Sequence, residues 1–323
     1  MTTSDKIVEF IKEKGQIKGI EIASHFGITR QALFKHLPKL LATGAIIKVG
    51  KPPKVFYSIN EKKEQTNDVV FSRKIKDVIT QHFLIITPAG EKKEGADGFI
   101  YWCNKNSLPI EKTANEYAKT ISKYGAYQKD GFINGNTKMK NSFPEVYLDE
   151  ILYLDFYSIE RFGKTKLGQL LLYAKQSQNI TLMNELVKII KPKIEQIVKK
   201  FNIDGIGFVP PTVKREKQLM KVLEKELLVN LRKITITKIA TPVAVPQKTL
   251  NKLEDRIENA RNTMVVSDNA SFNNILLIDD AVGSGATLNE IAKKIKDKGL
   301  CKNKIVGLAI TGSFKGFDVI SEV

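Results

Sequence analysis

The sequence predicts an α/β protein. A doubly wound, mostly parallel sheet fills the C-terminal half, behind a small N-terminal module of three helices and a β-hairpin. Three observations carry this prediction. Residues 274–288, NILLIDDAVGSGATL, join four consecutive large apolar residues to a loop of small residues and then to a helix, as in a strand buried on both faces followed by its crossover. Residues 19–44 set two short amphipathic segments around Gly27-Ile28-Thr29, the layout of a helix-turn-helix. The 323 residues, 42% of them hydrophobic, suffice for about two domains with ordinary cores, which excludes a disordered or fibrous chain.

The elements follow in order. Ser4 is the expected cap of a first helix, in which Ile7, Val8 and Ile11 recur at helical spacing and which Gly15 closes. Ile22, Ala23 and Phe26 mark a second helix. Leu33, Leu37, Leu40 and Leu41 mark the inner face of a third, ended by Gly44. Pro38 lies inside it, lacks an N–H, and predicts a kink or loosening after Phe34. Ile46–Val49 and Val55–Ile59 read as strands around a Gly-Lys-Pro-Pro-Lys turn.

Charge is informative here. The whole chain carries a formal net charge of +17, which favours a polyanionic partner. Between Ile22 and Asn60 there is no Asp or Glu, while Arg30, Lys35, Lys39, Lys48, Lys51 and Lys54 are basic. Helix, helix-turn-helix and hairpin in this order resemble a winged helix, so residues 1–62 are expected to bind double-stranded DNA. Thr29, Arg30, Gln31 and Lys35 stand where the recognition helix would enter a major groove. Arg30 suits guanine, Gln31 suits adenine, and Lys39, Lys51 and Lys54 suit phosphates. Winged helices also serve as protein-interaction modules; the acid-free stretch favours DNA.

Residues 63–150 assign no chemistry. The connector EKKEQTND precedes an expected helix at Val69–Phe83, a strand within LIITPAG and a helix at Ile110–Lys123. Phe99, Tyr101 and Trp102 are expected to build a small core, since no basic stripe accompanies them as a base-stacking platform requires. The segment is a linker, a hood over a site, or a dimer surface. The two cysteines, Cys103 and Cys301, and three histidines, His25, His36 and His82, make neither a zinc site nor a disulfide scaffold, and no protein-only metal site is expected. No apolar run reaches the ~20 residues of a membrane span, and MTTSDKIVEF lacks a secretory pattern. A cytoplasmic protein with no membrane partner is expected.

Residues 151–323 carry the chemistry. Asp279 and Asp280 end the buried strand, where open α/β sheets bind ligands. Gly283 and Gly285 let backbone N–H groups close around an anion, helped by the positive end of the next helix. Ser284 and Thr287 add hydroxyls; the acids suit two vicinal ribose hydroxyls or a hard cation. The loop has no lysine, as a Walker loop requires, and Leu288 stands where a dinucleotide fingerprint needs its third glycine. Leu288, Ile291 and Ile295 face inward on a helix that stops at Gly299, and Ile305–Ile310 is the next strand.

The stretch ILLIDDAVGSGAT resembles the phosphoribosylpyrophosphate-binding motif of type I phosphoribosyltransferases. Gly205–Val209 with Pro210-Pro211-Thr212 and Lys214-Arg215 resembles the first strand and pyrophosphate loop of that family. PVAVPQKTLNKLEDRIENARNTMVV is similar to the flexible loop of its competence-protein F, or amidophosphoribosyltransferase-like, subfamily, as is YSIERFGKTKLGQLLLYAKQSQN around Lys175. The subfamily's usual N-terminal zinc ribbon is absent, and the winged-helix segment stands in its place.

The resemblance implies a parallel sheet of about five strands that binds phosphoribosylpyrophosphate with magnesium. Asp279 and Asp280 would hold the ribose, while Gly283, Ser284, Gly285, Ala286 and Thr287 would hold the 5′-phosphate. Pro210, Pro211 and Lys214 would sit near the pyrophosphate, with Lys248, Arg256 and Arg261 closing over it. The function expected is a DNA-binding transcriptional regulator with phosphoribosylpyrophosphate, or a related nucleotide, as effector. The alternative is a magnesium-dependent transferase that moves ribose 5-phosphate to a base or amine, with Asp279, Asp280, Lys248, Arg256 and Arg261 as its catalytic set. A homodimer is expected, because one winged helix reads one half-site.

Overall fold

Two short polar residues compete to cap the first helix, and the geometry selects the earlier one. In the computed structural model, which describes residues 2–60, 71–213, 215–227, 231–243 and 245–313, helix α1 spans Thr3–Lys14. Its cap is Thr2. The Thr2 hydroxyl accepts from the Asp5 N–H at 3.2 Å, and the Asp5 carboxylate accepts from the Thr2 N–H at 2.7 Å, a reciprocal box that satisfies two otherwise unpaired donors. Ser4, the expected cap, lies inside the helix and meets His36 Nδ1 at 3.0 Å.

The chain divides into two units, residues 1–70 with 88–91, and residues 71–87 with 92–323. In the first, α1 is followed by β1 (Ile17–Lys18), α2 (Gly19–His25), α3 (Arg30–Ala42), β2 (Ile46–Lys51) and β3 (Lys54–Ile59). Strand β3 pairs antiparallel with both β1 and β2. Ile7, Ile11, Ile22, Leu33, Leu37 and Ile46 form the core, each almost fully buried. Helix α3 continues through Pro38 to Ala42; proline's fixed φ is already helical, so the helix loses one backbone bond without ending. At the hairpin a Cβ on Gly50, φ +89°, would fall 2.3 Å from the Lys54 carbonyl oxygen. Only glycine fits that turn.

The second unit begins with α4 (Arg73–His82), β4 (Leu84–Ile86), β5 (Lys92–Glu94), α5 (Gly95–Lys105), α6 (Ile110–Gly125), β6 (Gln128–Lys129), β7 (Phe132–Asn134) and α7 (Asn136–Ser142). Next come β8 (Glu150–Phe156), β9 (Ser158–Ile159), β10 (Gly163–Lys164), α8 (Lys166–Ser177), α9 (Ile180–Lys200), β11 (Gly205–Phe208), α10 (Leu219–Glu226), β12 (Arg232–Ile234) and β13 (Ile236–Lys238). The last elements are α11 (Leu253–Thr263), β14 (Met264–Val266), β15 (Phe272–Val282), α12 (Ala286–Asp297) and β16 (Cys301–Gly312).

Seven strands form the main sheet in the order β12-β11-β15-β16-β8-β7-β6. The first five run parallel; β7 and β6 add an antiparallel edge. Both faces are covered. Ile275 and Leu277 enter one apolar layer with Leu288, Ile291 and Ile295 of α12. Leu276 and Ile278 enter the other, with Leu171, Leu186 and Leu223 of α8, α9 and α10. Alternate side chains of one strand thus feed two cores, which is why the strand reads as an unbroken apolar run.

Residues 71–148 do not build a core of their own. Ile79, Phe83, Phe99, Tyr117 and Met139 join the same layer as α12, and Trp102 packs partly buried against it. At the start of α8 a Cβ on Gly168 would lie 2.1 Å from the Tyr157 carbonyl oxygen, so the missing side chain lets the helix rest directly on the chain leaving β8. The path from β11 through α10 leads to β12 on one side, whereas β15 lies on the other side of β11 with β16 beyond it. The sheet order therefore reverses between β11 and β15, where a crevice opens at the carboxyl ends of the strands. Among the described residues no helix is long and apolar enough to cross a membrane.

Candidate functional site

A cleft of about 190 Å³ opens at that reversal. One wall is the end of β15 and the turn into α12: Asp279, Asp280 and the run Gly283 to Thr287 all line it. Gly285 caps α12 in the left-handed region, φ +82°, with no side-chain cap. The Ala286 N–H reaches Ser284 Oγ at 3.3 Å, and the first helical bond runs from the Asn289 N–H to the Gly285 carbonyl. A helix start of this kind leaves backbone donors for an anion, reinforced by the helix dipole.

The acid pair is built unequally. Burial first, and the neighbouring Asp280 second, push the Asp279 carboxyl up to about 7; a carboxylate short of water and beside a like charge holds its proton. The Asp280 N–H donates to Asp279 Oδ1 at 2.8 Å. Asp280 is met by Lys175 of α8, Nζ to Oδ2 2.6 Å, with both side chains mostly covered, 15% and 20% exposed. Lys175 lies in a segment the sequence singles out, but its partner becomes visible only in three dimensions.

The other walls are cationic and polar. Pro210 and Pro211 line the cleft, joined by Thr212, Arg215 and Lys217. Lys238, at the end of β13, donates to Thr212 Oγ1 at 3.0 Å, and burial lowers its pKa. Sequence reasoning misses Lys238, since a lysine ending a short strand looks like a solvated charge. Lys214 lies outside the described residues, as does the side chain of Lys248.

Arg256 and Gln247 also line the cleft. Arg256 Nε donates to the Leu250 carbonyl at 2.7 Å. Gln247 Nε2 donates to the Arg256 carbonyl at 3.0 Å and to Asn259 Oδ1 at 3.3 Å. Arg261 stands apart from them. Its Nε pairs with Glu290 of α12 at 3.5 Å, and it is not among the cleft residues.

In the first unit Thr29 caps α3, its hydroxyl accepting from the Ala32 N–H at 3.1 Å, so that oxygen already has a structural bond. Arg30, Gln31, Lys35 and Lys39 are exposed along α3, and Lys54 is exposed on the hairpin. The side chain of Lys51 lies outside the described residues.

Among the described residues no group of three or more His, Cys, Asp or Glu side chains could hold a metal ion. Cys103 is buried, Cys301 is partly exposed, and both are free thiols. Two adjacent carboxylates do fit a magnesium ion whose remaining ligands are waters and the phosphates of a bound molecule.

The arrangement thus offers an anion seat at a helix start, two carboxyls for hydroxyl donors, and cations around the remaining rim. No protein-family model matches the chain, and no curated protein matches it either.

Proposed function

We propose that the chain is a DNA-binding transcriptional regulator whose α/β unit binds phosphoribosylpyrophosphate, or a related nucleotide, as effector. One observation carries the ligand half. The phosphate seat of α12 and the acid pair of β15 share a single cleft at the point where the sheet order reverses. A sugar phosphate fits such a site, with its phosphate on the backbone donors at Gly283 to Thr287 and its ring hydroxyls donating to Asp279 and Asp280. We read the second unit as a type I phosphoribosyltransferase-like fold and the first as a winged helix. For the first, the support is the order of helices and hairpin together with the exposed basic side chains on α3.

Magnesium, when bound, would neutralise part of the ligand's phosphate charge, with Asp279 and Asp280 as the residues able to hold it. Lys175 balances Asp280 before any ligand arrives. Effector binding alters DNA affinity only to the extent that the two forms of the protein bind the ligand unequally. Calorimetry with phosphoribosylpyrophosphate and magnesium tests the cleft: wild type binds, and the Asp279→Ala/Asp280→Ala variant does not. DNA binding with and without the ligand tests the regulation, and equal affinities would remove the effector role.

A transferase is the second reading, favoured by Arg215 and Lys217, the cations that line the cleft, which could stabilise charge on a departing pyrophosphate. It predicts pyrophosphate release with one of a panel of bases or ammonia, abolished by Asp280→Asn. No release with any acceptor, alongside intact ligand binding, leaves the regulator alone.

A further inference from the structure

The cleft wall made by Gln247 and Arg256 leaves two hydrogen bonds unmade. Arg256 is 5% exposed. Its Nε is bonded, but its Nη2 is buried without a partner, and no carboxylate pairs with it among the described residues. Gln247 has the complementary deficit. Both neighbouring acceptors, the Arg256 carbonyl and Asn259 Oδ1, take Nε2, which fixes the orientation of the amide. Its Oε1 is then left buried and, among the described residues, unpartnered.

Buried polar atoms without partners are costly and uncommon in native proteins. One unmet donor and one unmet acceptor in the same wall define what would satisfy them. A phosphate oxygen could accept from Arg256 but brings Gln247 Oε1 only repulsion. An ammonium group could donate to Gln247 but is repelled by the guanidinium. An uncharged group that presents a donor beside an acceptor meets both needs. Pro246 and Met264, which line the same cleft, supply apolar surface for a flat group.

We infer that Gln247 and Arg256 recognise an amide-type edge, with an N–H donating to Gln247 Oε1 and a carbonyl or ring nitrogen accepting from Arg256 Nη2. A nucleobase carries such an edge, and so does a free carboxamide. The inference rests on the cleft being a sugar-phosphate site and adds what the far end of the ligand is. It also changes the part played by Arg256, from a clamp on pyrophosphate to a reader of a neutral group.

The test is calorimetry on the intact chain with ribose 5-phosphate, uridine 5′-monophosphate and its N3-methyl derivative, and with nicotinamide added to the ribose 5-phosphate complex. Two modest hydrogen bonds correspond to about tenfold in affinity, so uridine monophosphate should bind about tenfold more tightly than ribose 5-phosphate. N3-methylation should erase the advantage, and Gln247→Leu should bring the ratio of the two affinities near one. Nicotinamide binding to the ribose 5-phosphate complex would assign the edge to a separate carboxamide; its failure to bind, with the uridine advantage intact, would assign it to an attached base.

With no nicotinamide bound to the ribose 5-phosphate complex, equal binding of the methylated and unmethylated nucleotides overturns the inference, as does an unchanged ratio in Gln247→Leu. The methylated ligand needs no variant, so a misfolded Gln247→Leu leaves the test standing. If neither ribose 5-phosphate nor uridine monophosphate binds, the sugar-phosphate cleft itself falls, and the wall with it. If ribose 5-phosphate binds as tightly as the nucleotide and its complex takes up no nicotinamide, only the wall falls.

Discussion

Asp279 ties stability and ligand binding to pH in opposite directions. Its folded-state pKa, about 7, lies above its ordinary value of 3.8, so the folded chain holds this proton more tightly than the unfolded one. The stabilisation from that proton is complete below pH ~4 and is lost as pH rises towards 7. Asp155, raised by burial to about 6, acts in the same direction. We therefore expect Asp279→Asn to unfold at higher denaturant than wild type at pH 8, by on the order of 1–2 kcal/mol after allowing for screening at a partly exposed group. The same variant should lose ligand affinity. A variant destabilised at pH 8 would show that Asp279 is not strained by its surroundings. Hydroxyl donors or a cation favour the carboxylate, so ligand binding at pH 6 should release a proton that at pH 8 is already gone. Calorimetry in buffers of different ionisation enthalpy reads this directly.

At the scale of elements, the strand-turn-helix from Phe272 to Asp297 was the most legible part of the chain. A strand buried on both faces must be apolar at every position, and its glycine-containing exit leaves a distinct mark. Leu277 is fully buried, and Leu277→Ala should cost about 2–5 kcal/mol, measured by chemical denaturation; a loss below ~1 kcal/mol would mean that the layer around it relaxes freely. Other features were illegible for physical reasons. Thr2 and Ser4 are equally good caps in isolation, and only the reciprocal bonds with Asp5 separate them. Lysines 175 and 238 look like solvated charges until Asp280 and Thr212 are brought to them. Arg261 sits in a segment that also supplies Arg256, yet the turn of α11 sends it to Glu290.

At the scale of the whole molecule, the chain divides into two units. Residues 63–150 lack a readable boundary because Phe99 and Tyr117 say that a core exists, not whose it is. They complete the layer that α12 begins. The net charge of +17 and the exposed Arg30, Lys35 and Lys39 predict DNA binding that weakens steeply with salt. Replacing Lys39 by alanine should lower the slope of log K against log salt by about 0.9 if it contacts a phosphate. An unchanged slope would place Lys39 off the DNA.

The bare carbon of Gly168 has a reach beyond its own neighbourhood. It seats α8 against Tyr157, and Lys175 follows two turns later, roughly 10 Å along the axis, on the same side of the helix. A methyl group introduced there has nowhere to go, so the helix must tilt, and the tip of the lever is the ammonium group resting on Asp280. Gly168→Ala would accordingly mistune the acid pair from outside it. The effect would register as altered ligand affinity in a chain whose cleft residues are all intact.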